Sequence, residues 1–216
     1  MATTKTPAQR ALHTFRTDCG DHQIDIRLDE GLYRHLAFRG APGSGLYWYD
    51  LITTPGQLIY RGDFGFWAFA RTEDMFEFFR NGGRTERINP HYWSEKLIAD
   101  DIHTKHQAFS EEKFRAEVLR QFWDSREGLG SKAAEVWQAI REDVLSPFVD
   151  LADEHEALTA AYGFRHGDFE FWDVQDWDLK EYSHQYLVAL YAIVDGIARY
   201  DAAKAHAPQP VPALAA

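Results

Sequence analysis

Five short segments in the first third of the chain are predicted to be strands, and they restrict the fold more than any other feature. In QIDIRLDE, Ile24, Ile26 and Leu28 alternate with charged residues, and alternation with a period of two is typical of a strand with one buried face. Tight turns such as Thr54-Pro55-Gly56 separate the segments, because proline fixes φ and glycine tolerates positive φ. Strands joined in this way predict an antiparallel sheet or meander. The segments are QIDIRLDE (23–30), LYRHLAFR (32–39), GLYWYDLIT (45–53), QLIYRGD (57–63) and GFWAFAR (65–71).

Helical signals dominate from Thr72 onward. Residues able to cap a helix precede apolar side chains at three- and four-residue spacing, and proline occupies one first helical position. The last helix is the clearest, because apolar residues from Leu179 to Tyr200 repeat along one stripe. The other predicted helices are EDMFEFFRNGG after Thr72, HYWSEKLIA after Asn89-Pro90, EEKFRAEVLRQFW after Ser110, KAAEVWQAIREDVL after Ser131, and a segment from Phe148 to Tyr162.

These two halves predict an α+β fold, with an N-terminal antiparallel sheet packed with a C-terminal helical part. We expect a β-rich part at 1–108 that includes two short helices, and an acidic helical part at 109–204, the two forming one compact domain. The Ala/Pro-rich tail at 205–216 is expected to be disordered. No βαβ alternation and no phosphate-binding glycine pattern after a strand occur, which argues against a dinucleotide-binding domain or a P-loop.

The net charge of −11 is unevenly distributed. Residues 1–108 contain 13 Lys and Arg against 14 Asp and Glu, whereas residues 109–216 contain 10 against 20. Direct binding of nucleic acid is disfavoured, since phosphate contacts need a basic surface. The acidic half is either ordinary solvated surface or a surface that complements a basic partner.

Few residues suggest catalysis or metal binding. Cys19 is the only cysteine and has no catalytic motif around it. Glu181 and His184 have the i, i+3 spacing found in di-iron bundles, but none of the other nine histidines has a glutamate three residues before it, so the second such pair that these sites need is missing. They are weak metal candidates, and a surface acid with a hydrogen-bonded histidine is the simpler interpretation. No cofactor is predicted.

The segment HGDFEFWDVQDWDLKEYSHQY (166–186) interleaves carboxylates with large aromatics. Three interpretations are open. Paired carboxylates in this segment could catalyse hydrolysis, or the segment could be ordinary surface whose aromatic side chains anchor it to the core. Exposed tryptophans beside acids are also typical of a protein-binding surface. For energetic reasons we expect the acids to be exposed, with Phe169, Phe171 and the helix containing Leu179 holding the segment. The candidate partner-binding residues are Asp168, Glu170, Trp172, Asp173, Asp176, Trp177 and Asp178.

The sequence predicts a soluble protein of a reducing cytoplasm. A single cysteine favours that compartment, and the N-terminus lacks the apolar region of a signal peptide. The most apolar stretch, Tyr186 to Val194, is too short to cross a bilayer.

Several segments resemble a family of accessory proteins encoded in bacteriophage and prophage genomes. GDFG stands at 62–65, where the family pattern has GDMG, and this change keeps both turn glycines. The resemblance covers much of the chain in the same order and supplies no catalytic residue or cofactor. The matching segments are DEGLYRHLAFR (29–39), DLITTPGQLIYRGDFGFWAF (50–69), RTEDMFEFFR (71–80), INPHYWSEKL (88–97) and DLKEYSHQYLVALYAIVDGIARYD (178–201).

The resemblance implies an accessory phage product that acts in the cytoplasm of a bacterial host. Together with the charge distribution, it favours an inhibitor of host defence that binds a basic, nucleic-acid-binding effector, as anti-CRISPR proteins do. Such a protein would imitate the charge of nucleic acid. The alternatives are a small hydrolase, metal-dependent or carboxylate-based, built around Asp168–Asp178, Glu181 and His184, and a virion or assembly component.

Overall fold

The computed structural model describes residues 5–42, 44–80, 84–146 and 153–206. The chain divides into two compact units, the first formed by Met1–His106 with Tyr182–Ala216 and the second by Gln107–Glu181. In chain order the elements are α1 (Pro7–Cys19), β1 (Gln23–Glu30), β2 (Tyr33–Arg39), β3 (Tyr49–Thr54), β4 (Gln57–Gly62), β5 (Gly65–Ala70), α2 (Met75–Phe79), α3 (Pro90–Ser94), β6 (Leu97–Ala99), β7 (Gln107–Phe109), α4 (Glu111–Leu129), α5 (Ala133–Ala139), α6 (Glu154–Gly163), β8 (Arg165–His166), β9 (Phe169–Glu170), β10 (Lys180–Tyr182) and α7 (His184–His206).

The first unit contains a six-stranded antiparallel sheet in sequential order, β1 to β6. This confirms the predicted α+β fold and all five predicted strands. Thr54 pairs with Gln57 across the β3–β4 turn, where Gly56 has a φ of +81°. Proline followed by glycine at positive φ is the sequence that a type II turn requires. The local sequence therefore sets both the turn and the register of this hairpin.

Helix α7 covers one face of the sheet and forms the core of the first unit. Trp67 of β5 packs edge-on against Tyr186 of α7, with ring centroids 5.7 Å apart. A Cβ atom at Gly196 would lie 2.8 Å from Leu51 Cδ1, so the absence of a side chain permits the close approach of helix and sheet. Helix α1 packs against α7, and its Phe15 is buried in the same core.

Several predicted helix boundaries were wrong. Asp74, not Thr72, caps α2 by accepting a hydrogen bond from the Phe76 amide. The helix predicted after Asn89-Pro90 ends at Ser94, and its last residues form strand β6 instead. Ser131 lies inside a 3-10 turn, Gly130–Lys132, and caps nothing. Helix α7 begins at His184, so Leu179 precedes it.

The remaining helix predictions had mixed outcomes. Ser110 caps α4 as predicted, since its hydroxyl accepts a hydrogen bond from the Lys113 amide. Helix α1 was not predicted at all. Phe148, the proposed start of a helix, lies outside the described residues, and so does the tail from residue 207. None of the helices in the described ranges is long and apolar enough to span a membrane.

The second unit is an insertion in the first. It differs from the expected part at 109–204, because α7 belongs to the first unit. The amide of Ser183 donates to the carbonyl of His106 at 2.9 Å, so the two points where the first unit is interrupted lie side by side. Within the insertion, α4, α5, a π-helical turn (Ile140–Leu145) and α6 contribute to a second core. Phe114, Val118, Val136, Ile140 and Ala157 are among its buried residues.

Candidate functional site

The acidic stretch 168–178 lies in the second unit and alternates buried and exposed side chains. Phe169 and Phe171 are buried, as is Leu179 just after the stretch. All five carboxylates are exposed, as expected from the cost of burying unpaired charges. They are Asp168, Glu170, Asp173, Asp176 and Asp178. The predicted anchors are confirmed, except that Leu179 acts from a segment before α7 rather than from a helix.

A buried glutamine fixes the middle of the acidic stretch. The Gln121 side chain accepts a hydrogen bond from the Trp172 amide at 3.0 Å and donates to the Trp172 carbonyl at 2.9 Å. The indole of Trp177 donates to the same carbonyl at 3.2 Å. Next to this clamp, Asp173 has a φ of +50°. The backbone that presents the acids is therefore ordered by contacts with α4, which reduces the entropy lost on binding.

The acids differ in how far neighbouring cations neutralise them. Glu170 forms an ion pair with Arg165. Asp178 pairs with Lys113 at 2.8 Å, and this hydrogen bond holds the pKa of Asp178 below its usual value. In the described part of the chain, Asp168, Asp173 and Asp176 form no ion pair. The stretch thus offers three unpaired negative charges to a partner.

An aromatic ring lies among these charges. Trp172 is 39% exposed, and the guanidinium of Arg120 lies 5.9 Å from its ring centroid. Trp177 is half-buried and packs at right angles to Phe171, with ring centroids 5.6 Å apart. Of the two predicted tryptophans in this segment, Trp172 is therefore exposed to solvent, whereas Trp177 packs against Phe171.

The weak metal candidates lie on different elements. Glu181 is in β10, whereas His184 opens α7. The predicted placement of both on one helix was wrong, and so was the comparison with di-iron bundles that depended on it. No group of three or more His, Cys, Asp or Glu suited to a metal ion occurs among the residues that the structure describes.

Cys19 is buried at the end of α1. Its thiol points at the Tyr47 carbonyl, 3.6 Å away, which is also 3.0 Å from Nε2 of His22. Burial, with smaller contributions from Asp18 and Asp195, raises the pKa of Cys19 to about 12. Because the thiolate is the nucleophile, this cysteine is unsuited to catalysis.

We expect Cys19 in the native protein to react negligibly with an aromatic disulfide reagent at pH 8. After unfolding in guanidinium chloride, the thiol should react with its ordinary pKa and become fully labelled. Absorbance of the released thiolate follows both reactions. Rapid stoichiometric labelling of the native protein would show that the thiol is accessible and ionised.

The sequence reasoning missed a charged cluster on the sheet face opposite α7. Asp50 of β3 is completely buried, and its Oδ2 accepts hydrogen bonds from Arg61 Nη2 at 2.7 Å and Arg61 Nε at 3.0 Å. Nη2 of Arg39 lies 2.7 Å from Asp50 Oδ1, and His35 Nε2 lies 3.2 Å from Oδ2. Burial acts to raise the pKa of Asp50, but hydrogen bonds from Arg61, Arg39 and His35 outweigh it and lower the pKa. A lone aspartate inside the apolar strand YWYDLIT was the signal for this cluster.

Asp100 organises the connection after β6. It accepts hydrogen bonds from the Trp67 indole at 3.0 Å and lies 2.8 Å from Nδ1 of His106. The amide of His106 also donates to it, at 3.1 Å. These bonds fasten the connection to a buried tryptophan, so we assign Asp100 and His106 a structural role.

The excess charge is confined to the second unit. Its 75 residues contain 18 Asp and Glu against 8 Lys and Arg, a net charge of −10, which leaves −1 for the first unit. No protein-family model matches the sequence, and no curated protein or solved structure matches it either.

Proposed function

We propose that the protein is a phage-encoded accessory protein that binds a basic host protein through the acidic stretch of its second unit. The partner class that fits best is a nucleic-acid-binding defence effector, whose basic surface the carboxylates would occupy in place of a phosphate backbone. The protein would then be an inhibitor of anti-CRISPR type, acting in the host cytoplasm without a cofactor. The phage origin rests on the sequence resemblance, the defence target on that resemblance together with the charge distribution, and the choice of binding surface on the geometry of the acidic stretch.

One observation carries the proposal: an ordered segment presents five exposed carboxylates around an exposed tryptophan. Gln121 and the buried Phe169 and Phe171 hold this segment. Tryptophan is enriched among residues that dominate binding energy. Charges spaced along a surface steer a complementary partner and set the association rate. A fixed backbone also limits the ordering that binding requires.

The charge of the whole second unit supports the same role. A net charge of −10 on 75 residues gives a negative potential around the stretch. This potential repels nucleic acid and attracts basic proteins. Salt screens it over roughly 10 Å at 0.1 M, so association with the partner should slow as the salt concentration rises.

The hydrolase alternative has less support from the same residues. A general acid needs a raised pKa, whereas the pKa of Asp178 is lowered by its bond to Lys113. Glu181 and His184, which this alternative also used, belong to separate elements. The virion or assembly alternative requires a partner from the phage rather than from the host, and the presence or absence of the protein in purified virions distinguishes the two roles.

A five-fold neutral variant tests the proposal: Asp168→Asn, Glu170→Gln, Asp173→Asn, Asp176→Asn and Asp178→Asn. We expect it to fold normally and to bind the partner captured from host lysate with an association rate about tenfold lower at low salt. Its rate should also depend less on salt. Trp172→Ala should instead accelerate dissociation. Surface plasmon resonance over a salt series measures both rates.

A matched control removes the same number of charges elsewhere in the unit: Glu112→Gln, Asp124→Asn, Glu127→Gln, Glu142→Gln and Asp143→Asn, all exposed positions. Its association rate should fall much less. Equal slowing in both variants would assign the effect to general charge, and an unchanged rate in the five-fold variant would remove the acidic stretch from the interface.

A second experiment tests the defence target. Expression of the protein in a host that carries an RNA-guided nuclease should restore plaque formation by a phage that the nuclease targets. Recovery of the protein in purified virions would instead favour the assembly role.

A further inference from the structure

A second surface of the inserted unit has the opposite character. An apolar cavity of about 630 Å³ lies between α4 and α5. A neighbouring cavity of about 410 Å³ shares Leu119 and Trp137 with it and continues to the π-helical turn. We call the two together the Trp123 groove. Its main lining residues are Arg115, Leu119, Trp123, Arg126, Trp137 and Arg141.

Each of the two helices that line the groove carries a row of large side chains in addition to the row that packs into the core of the unit. Helix α4 buries Phe114 and Val118 in the core of the unit, whereas Leu119 and Trp123, four residues apart, stay exposed. On the other wall, Trp137 and Arg141 are also one turn apart. Trp123 is 57% exposed, which is unusual for a side chain of its size outside binding surfaces. Among the described residues of the unit, none occupies the position beside these two helices that a third helix would take in a bundle.

The charge of the groove reverses the charge of its unit. Three arginines and one glutamate, Glu127, line it, although acids outnumber basic residues 18 to 8 in the unit as a whole. The Arg126 guanidinium lies 4.9 Å from the ring centroid of Trp123. Arg141 forms no ion pair with any residue in the described ranges. A partner that fits both the apolar floor and this rim must combine apolar anchors with negative charge.

We propose that the Trp123 groove binds an acidic amphipathic helix of a partner protein. The floor runs along α4 from Arg115 to Arg126, which is roughly 16 Å at 1.5 Å per residue. About three turns of a bound helix match this length, with apolar side chains at i, i+4 and i+7 against Trp123, Leu119 and Trp137. Acidic side chains on its flanks then meet Arg126 and Arg141, whereas Arg115 is paired with Glu111 at 2.6 Å. This mode is helix-in-groove recognition, and it is independent of the acidic stretch.

A synthetic 14-residue helical peptide tests the proposal. It carries leucine at i, i+4 and i+7 and glutamate on both flanks, and a second peptide has glutamine in place of each glutamate, because a basic peptide would be drawn to the acidic stretch. Fluorescence anisotropy of labelled peptide measures binding to the full chain. We expect the acidic peptide to bind and the glutamine peptide to bind at least roughly tenfold more weakly. Equal affinity for both peptides, or no binding of the acidic one at about 1 mM, overturns the proposal.

Variants locate the binding. Trp123→Ala should weaken binding of the acidic peptide roughly tenfold, and Arg126→Gln with Arg141→Gln should remove the preference for the acidic peptide over the glutamine peptide. Tyr162→Ala changes an exposed aromatic residue of α6 outside the groove; it is the matched control and should leave the affinity unchanged. Circular dichroism melting verifies that each variant folds. A loss of affinity in the Tyr162 variant overturns the assignment, and so does concentration-dependent self-association in sedimentation that Trp123→Ala abolishes, because the occupant would then be a second copy of the chain.

Discussion

Replacing Ile193 with aspartate should unfold the first unit of the protein under conditions where the wild type is native. Ile193 is completely inaccessible in the middle of α7. The substitution removes a buried aliphatic side chain and introduces a carboxylate with no partner in the core. We expect the free energy of unfolding to fall by at least about 4 kcal/mol, which is a large part of the stability of an ordinary domain. Chemical denaturation followed by circular dichroism measures the change.

Ile193→Val is the matched control, because it removes one methylene group and adds no charge. It should cost only about 1 kcal/mol. If the aspartate variant melted at the wild-type temperature, Ile193 would not lie in the core. The covering of the sheet by α7 would then be wrong.

Replacing Asp50 with asparagine should lower the free energy of unfolding by about 2 kcal/mol at pH 7. The side chain is completely buried, and two arginines and one histidine surround its two oxygens. Arg39 and Arg61 are themselves partly exposed, so solvent screens their attraction and keeps the loss moderate. Asp25→Asn changes an exposed acid on the same sheet and should have little effect.

The loss at Asp50 should depend on pH in a defined direction. The folded state lowers the pKa of Asp50 below the ordinary value of 3.8. The carboxylate therefore contributes stability that is fully present above that value and disappears as the pH falls through the folded-state pKa. The difference in unfolding free energy between wild type and Asp50→Asn should be constant from pH 7 to about pH 5 and shrink below about pH 4. A difference that stayed constant down to pH 2 would show that Asp50 does not titrate in this way.

The sheet was predictable because the strand pattern is visible within each short segment, without knowledge of the residues that it contacts. One buried face produces alternation within six to eight residues, as in QLIYRG, where Leu58 and Tyr60 are buried, and the Pro55-Gly56 turn fixes its hairpin locally. QIDIRLDE was predicted as a strand by the same alternation, but its expected buried face was wrong, since Ile26 and Leu28 are exposed. Strand β6 was not predictable, since three residues are too few to show a period and Asn89-Pro90 signals a helix just before them. The prediction that Ser131 caps a helix failed for a similar local reason. A serine hydroxyl can cap a helix, but Gly130–Lys132 form a 3-10 turn.

The sequence predicted which residues of the candidate site are exposed, but not the contacts that hold them in place. Alternation around Phe169 and Phe171 indicated which side chains are exposed. The clamp from Gln121 joins residues 51 positions apart, and no local pattern reports such a contact. The Trp123 groove was missed for a related reason. Its exposed stripe on α4 follows the same spacing as a buried one, so only the packed structure distinguishes them.

The adjacent carbonyl of His106 and amide of Ser183 have a consequence for how this protein could have been assembled during evolution. An inserted module whose two ends meet at neighbouring points can be gained, lost or exchanged without rethreading the host domain. The sheet and α7 would persist as a scaffold, while the module carrying nearly all the negative charge diversifies at its own rate. The same topology delays completion of the scaffold during synthesis, because α7 leaves the ribosome only after the entire module has been translated.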